Sequence, residues 1–226
     1  MITLLLSTRN AHKVSEIRAI LSESFRYLTL NDFPGAPNVV EDAPTFSGNA
    51  MKKAIGLANW ISSNERLKAP LENAFVLADD SGLEVDALNG APGVYSARFA
   101  AMEGDGNSPD AANNEKLFRL LADVAPEKRT ARFRCVIVLT PIVFPENGST
   151  SPVCFADEAE LRTESFDGAC EGRISLAGSG QGGFGYDPLF VPNGFSKSFA
   201  ELGELEKNKI SHRAKALEKL QKRLAG

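Results

Sequence analysis

Apolar residues along the chain fall into short unbroken runs and helical stripes, and each predicts an element. Ile2 to Leu6 predict a buried first strand, and Val14, Ile17, Ile20, Leu21 and Phe25 then recur on one face of a helix. Tyr27 to Leu30 predict a second strand. Pro34, Gly35, Pro37 and Pro44 exclude regular structure from Asn31 to Pro44. A second helix follows Thr45 and turns Ala50, Ala54, Leu57, Ala58 and Ile61 inward. Phe75 to Ala78 predict a short buried strand that stops at Asp79-Asp80 and a Ser81-Gly82 turn. Breaks follow at Asn89–Gly93 and Glu103–Pro109. Ser108-Pro109 starts a helix that continues through Leu117, Leu120 and Leu121 to about Val124. Phe133–Thr140 and Val153–Leu161 read as a hairpin around a turn at Pro145, with one wet face. The last helix is entered through Glu206–Arg213, with Ser211 as N-cap and Ala214, Leu217, Leu220 and Leu224 facing inward.

The 226 residues suffice for one large α/β domain or two small lobes sharing a core. A formal charge of −4 gives no reason to expect a nucleic-acid polymer as partner. A small anion needs only a few placed cations. Cys135, Cys154 and Cys170 form no Cys-x-x-Cys pair and are odd in number, which suggests neither a zinc site nor a disulfide framework. Ile2–Leu6 is too short for the apolar core of a signal peptide and for a bilayer span. No membrane partner and a cytoplasmic location are therefore expected.

Candidate chemistry collects at the ends of these elements. Ser7 to Lys13 lead into the first helix, where unpaired N–H groups with Thr8, Asn10 and Lys13 suit a phosphate. Equally, Asn10 caps that helix and Lys13 is solvated surface. Lys52 and Lys53 lie in the first turns of the second helix, against its dipole, so each is either solvated or paired with something negative. Asp79 and Asp80 should face opposite sides of a strand, which makes one of them functional and its neighbour structural. Turn chemistry accounts for both just as well. Gly178, Gly180 and Gly183 match Gly-x-Gly-x-x-Gly, but extended Leu189–Val191 follows where a dinucleotide fold needs a helix. That loop, with Phe184, Tyr186 and Asp187, either lets ring and backbone approach a flat ligand or is a surface turn with a buried Phe.

Five blocks in order resemble one family, the Ham1-like inosine triphosphate pyrophosphatases. They are Ser7-Thr8-x-Asn10-x-x-Lys13, Thr45-Phe46-x-x-Asn49-Ala50-x-x-Lys53-Ala54, the run Ala78–Arg98, Gly182-Gly-Phe-Gly-Tyr-Asp-Pro188 and Glu206-Lys-x-x-Ile-Ser-His-Arg213. Each block alone is weak, and five in the family's order are specific. The resemblance implies an α/β fold with a long mixed central sheet flanked by helices and two lobes with a cleft between them. It implies a single domain over 1–226 with the smaller lobe around 85–170. It implies hydrolysis of dITP, ITP or XTP between the α and β phosphates, with Mg²⁺, by a cytoplasmic homodimer.

By the same resemblance, Asp80 is the general base and Glu41 and Asp80 hold the metal. Thr8, Asn10, Lys13 and Lys53 would contact the triphosphate, and Phe184 would stack on the base. Asp187, Lys207, Ser211, His212 and Arg213 would line the base and sugar pocket, and Ser81 and Tyr186 would also bind the substrate. An Arg213 guanidinium offers donors to a 6-oxo group, whereas adenine presents a 6-amino donor there. Two other readings are a non-catalytic nucleotide sensor and a pyrophosphatase for modified pyrimidine nucleotides. Asp80, Glu41 and both lysines argue against the first, His212-Arg213 against the second. Residues 62–73 and 145–166 depart from the family pattern and touch no matched motif.

Overall fold

The computed structural model describes residues 1–67, 71, 73–101, 106–144 and 159–225. In chain order the elements are β1 (Thr3–Leu6), α1 (Ala11–Leu21), β2 (Arg26–Thr29), α2 (Phe46–Ser62), β3 (Ala74–Val85) and α3 (Asp110–Leu120). They continue with β4 (Thr130–Pro141), β5 (Glu164–Ile174), β6 (Phe190–Pro192), α4 (Phe199–Ile210) and α5 (His212–Ala225). The strands form one sheet in the order β2-β1-β3-β4-β5-β6. It is mixed, because β1 runs parallel to β2 and β3 while β5 is antiparallel to β6. The α/β architecture with a mixed central sheet and flanking helices is as expected from the sequence.

The chain clusters into two compact units, Met1–Asp80 with Val136–Phe166, and Ser81–Cys135 with Asp167–Gly226. The boundary falls inside β3, between Asp80 and Ser81, and inside β4, between Cys135 and Val136.

In the first unit Leu4, Leu5 and Leu6 of β1 are fully buried, and Leu5 and Leu6 lie opposite Val76 and Leu77 of β3. A parallel strand covered on both faces needs such an unbroken apolar run. Thr45 caps α2 by accepting the Gly48 N–H, and all five predicted inward residues of that helix are buried. Helix α1 is shorter than its apolar stripe suggests. Ser22 takes φ 59°, a left-handed conformation that no helix continues through, so Phe25 lies beyond it.

The largest departure from the sequence reading is β3. Rather than stopping at a Ser-Gly turn, the strand runs twelve residues, straight through Asp79-Asp80-Ser81-Gly82. Both aspartates are committed to lysine side chains, which leaves neither to close a local turn.

The second unit is built on a core that includes Leu83, Phe99, Leu117, Phe133, Cys170, Tyr186, Phe190 and Phe199. Phe133 packs edge-on to Phe190 with ring centroids 4.8 Å apart, and Phe190 lies 5.2 Å from Phe199. Two of its elements were not expected. Helix α4 precedes the predicted last helix, from which Ser211 separates it. The predicted hairpin strand Val153–Leu161 is also displaced: its residues 153–158 and the turn at Pro145 lie outside the described residues, and 159–161 are helical. The strand beside β4 is instead β5, whose inward positions are Gly168, Cys170, Gly172 and Ile174. With two glycines among four inward positions, its hydrophobic alternation was silent.

Those glycines are required by close approach. A Cβ on Gly168 would overlap the His212 carbonyl and the Ala216 amide in the first turns of α5, and one on Gly172 would overlap the Val191 carbonyl. Cys135 and Cys170 are buried, and Cys154 lies outside the described residues. No helix among the described residues is long and apolar enough to cross a membrane.

Gly168→Ala should destabilise the protein by about 1–3 kcal/mol, because backbone rather than a flexible side chain must yield. Urea unfolding measures this, and an unchanged midpoint would show that α5 does not rest on β5 at this position.

Candidate active site

The loop between β1 and α1 is fixed by its own backbone and side chains. The Ser7 N–H donates to the Leu77 carbonyl at 2.8 Å and extends the β1–β3 ladder, while the Ser7 hydroxyl donates to the Lys53 carbonyl at 3.3 Å. Thr8 Oγ1 accepts the Asn10 N–H, and Asn10 Oδ1 accepts the Lys13 N–H, so Asn10 is the N-cap of α1. Lys13 is not solvated surface. Its ammonium forms an ion pair with Asp79, whose side chain is 1% exposed.

On the other side of β3's alternation, Lys53 gathers the acids. Its Nζ lies 2.7 Å from Glu41 Oε2, 3.1 Å from Asp80 Oδ1 and 2.8 Å from the Asp79 carbonyl. Three acceptors use all three ammonium hydrogens. One turn earlier on the same face of α2, Asn49 accepts the Ala43 N–H at 2.9 Å and donates to Asp80 Oδ2 at 3.3 Å. Lys52 pairs with Asp42. Of the alternatives left open for these two lysines, the structure shows pairing with negative groups.

Burial pushes the Asp80 carboxyl up to about 6, against the pull of the Lys53 and Lys13 ammoniums and with help from neighbouring Glu41. Burial also acts to raise Glu41, but Lys53 outweighs it and holds Glu41 below the usual carboxylate range. The Lys53 ammonium opposes its own desolvation through Asp80 and Glu41, so its pKa rises. Of the two carboxylates, the more buried Asp80 is the one that keeps a proton longer.

The second unit carries the remaining predicted residues. Gly183, at φ +75°, sits where a Cβ would run into the Asp187 side chain. That side chain folds back so that Asp187 Oδ2 accepts the Phe184 N–H at 2.9 Å and the Lys207 ammonium at 2.6 Å. Asp187 and Lys207 are both buried, and Lys207 Nζ lies 4.6 Å from the centroid of the half-buried Phe184 ring. Tyr186 is a core residue whose hydroxyl donates to the Ser96 carbonyl at 2.9 Å. Ser211 caps α5 by accepting the Ala214 N–H. The His212 ring stacks on Phe133, 4.8 Å between centroids and 13° between planes. Arg213 is 1% exposed and donates to Ser81 Oγ at 2.9 Å. Three consecutive buried polar residues at a helix start, two of them basic, oppose the helix dipole and suit an acceptor-bearing ligand better than a bare core.

Thus β3 contributes to both groups through adjacent residues, Asp80 to the carboxylate–ammonium cluster and Ser81 to Arg213. One group suits a polyanion with a hard cation; the other offers a ring face with fixed donors. The sequence profile of the Ham1 family matches residues 4–223. The chain belongs to the Ham1 family. It is 44% identical to a dITP/XTP pyrophosphatase of Desulforamulus reducens, over 96% of this chain and 92% of that protein. It is 42% identical to a dITP/XTP pyrophosphatase of Clostridium perfringens, over 98% and 97% of the two chains. A HAM1 protein from Coxiella burnetii superposes with a TM-score of 0.78 at 33% identity, covering 100% of this chain and 99% of that one. The Staphylococcus aureus Ham1 protein gives 0.72 at 32% identity, covering 99% and 98%.

Within this Ham1 chain the sequence reading gave Asn49 no role and Asp79 no partner. Asn49 stood in a matched motif, and its spacing of four from Lys53 was the available signal. Asp79 is the ion partner of Lys13, which only the register of β3 against β1 reveals.

The Asp80 carboxyl releases its proton near pH 6 in the folded protein and near 3.9 in the unfolded chain. Folded stability therefore falls as pH rises from about 4 to about 6, by at most about 3 kcal/mol. Asp80→Asn lacks that charge. In chelator at pH 7.5 its unfolding midpoint should exceed wild type, and the gap should close as pH falls towards 4. A wild-type protein that is the more stable of the two at pH 7.5 would contradict this.

Proposed function

We propose that the chain cleaves the α–β phosphate bond of the non-standard purine nucleotides ITP, dITP and XTP, releasing the nucleoside monophosphate and pyrophosphate and so cleansing the nucleotide pool. The observation that carries this reading is the buried Lys53 ammonium holding Glu41 and Asp80 together, in a Ham1 chain at 40–44% identity to relatives named dITP/XTP pyrophosphatase.

The acids fit a divalent cation. Glu41 Oε2 and Asp80 Oδ1 lie 2.7 and 3.1 Å from the same Lys53 Nζ, and both present hard oxygen donors. Mg²⁺ is usually held by one or two carboxylates, with waters and substrate phosphates completing its shell. We therefore assign Mg²⁺ to Glu41 and Asp80. When bound, that cation would neutralise phosphate charge and acidify water, which helps a carboxylate serve as base.

Asp80 then accepts the proton of the attacking water as the α–β bridge breaks and pyrophosphate leaves. Lys13 and Lys53, with the Thr8 and Asn10 loop at the start of α1, replace the hydration of the triphosphate. Phe184 stacks on the base, with its backbone held by Asp187 and Tyr186 anchoring the loop to the core. Lys207, Ser211, His212, Arg213 and Ser81 meet the base and sugar. Arg213 donates to a 6-oxo oxygen and opposes the 6-amino donor of adenine, which leaves buried donors unmatched when ATP binds.

We also propose that residues 1–226 work as one domain, in the cytoplasm and as a homodimer. Sedimentation equilibrium tests the assembly and would return 24.3 kDa for a monomer.

Asp80→Asn should lower kcat on ITP by about 10²–10⁴ while nucleotide binding stays within a few-fold. Retained wild-type kcat would remove Asp80 from the mechanism. Arg213→Ala should shrink the ratio of kcat/KM for ITP over ATP by about tenfold or more. An unchanged ratio would place base readout on other residues.

A further inference from the structure

We propose that Asp110 and Asn114, in the first turns of α3, are positioning residues that clamp Gly185 and thereby set the pose of Phe184. The proposal rests on the reading of Phe184 as the base-stacking ring. Asp110 Oδ2 accepts the Gly185 N–H at 2.6 Å, and Asn114 Nδ2 donates to the Gly185 carbonyl at 3.0 Å. The two residues are four apart and share one face of α3. They present an acceptor and a donor to the two polar atoms of a single residue.

Gly185 is where such a clamp is effective. It has φ +62°, a conformation that L side chains rarely adopt, and it follows Phe184 directly in the chain. On its far side Asp187 already fixes the Phe184 N–H, and the Asp187 N–H donates to the Phe184 carbonyl at 3.2 Å. Without Asp110 and Asn114 the left-handed joint between ring and core is free to relax. With them, the backbone on both sides of Phe184 is held.

Helix α3 is itself anchored. Asn113, 2% exposed, accepts the Ala100 N–H at 2.7 Å and donates to the Ala97 and Ser108 carbonyls, and Lys116 donates to the Phe99 carbonyl at 2.5 Å. Those bonds tie α3 to the segment whose Ser96 carbonyl accepts the Tyr186 hydroxyl. The loop bearing Phe184 is thus fastened twice to one platform, through Gly185 and through Tyr186. A ring ordered in advance spares the ligand the cost of ordering it.

The clamp touches no reacting group, so it should act on KM and leave kcat alone. Stacking on a ring face is tolerant of base identity, so KM for ITP and for ATP should rise together. Asp110→Ala and Asn114→Ala should each raise KM for ITP about 3–10-fold, with kcat within about twofold and the ITP-to-ATP preference unchanged. Asp110→Asn keeps an acceptor for the Gly185 N–H and should restore KM to within about twofold of wild type. In a Phe184→Ala background, Asp110→Ala and Asn114→Ala should add little, because their effect passes through the ring.

Asp110→Ala also removes a first-turn acid from α3. If that variant does not fold, Asn114→Ala with the Phe184→Ala cycle carries the same test. Unchanged KM in folded Asp110→Ala or Asn114→Ala, while Phe184→Ala raises KM, would overturn the clamp. Full multiplication of the clamp and Phe184 effects would overturn it as well. A Phe184→Ala enzyme with wild-type KM would instead overturn the assignment of Phe184 to the base, and the clamp with it.

Discussion

One buried ammonium organises the first unit. Lys53 draws Glu41 out of a proline-bearing loop, Asp80 out of β3 and the Asp79 carbonyl into three contacts at 2.7–3.1 Å. A buried cation is unfavourable alone, and two carboxylates forced together are unfavourable alone. Each offsets the other. Removing the Lys53 ammonium leaves the carboxylates unmatched, commonly at a cost of about 3–5 kcal/mol. The geometry of α2, β3 and the loop before α2 is therefore coupled through one side chain, and Asn49 braces two of the three from the same helix face.

In the second unit buried cations are likewise held by fixed partners. Lys207 and Arg213 are buried to 2% and 1% exposure, the first bonded to Asp187 and the second to Ser81. Aromatic faces complete the arrangement, with Phe133 stacked on His212 and Phe184 under Lys207. Fixed donors and fixed ring faces discriminate by what they cannot relax to accept.

Much of this was legible in the chain. Leu4–Leu6 and the five inward residues of α2 are buried as their spacing predicts, because burial on a regular element obeys period. The opposition of Asp79 and Asp80 followed from strand alternation, yet their place within the strand did not, since Asp-Asp-Ser-Gly has the composition of a turn and only tertiary lysines override it. Strand β5 hid behind Gly168 and Gly172, which pack backbone against backbone and carry no hydrophobic signal. Helix α4 hid because Gly203, at φ 76°, divides it, although the Ser198-x-x-Glu201 capping box marked its start. The bonds of Asp110 and Asn114 to Gly185 join positions 75 and 71 residues apart, beyond the reach of any local pattern.

The most direct test of the account is a turnover panel of ITP, dITP, XTP, ATP, GTP and dUTP with Mg²⁺, with pyrophosphate scored separately from orthophosphate. Pyrophosphate is expected from ITP, dITP and XTP, with ATP, whose base presents a 6-amino donor in place of the 6-oxo acceptor, slower by about 10²-fold or more. Orthophosphate as the product, or no turnover of the three favoured nucleotides despite their binding, would contradict it.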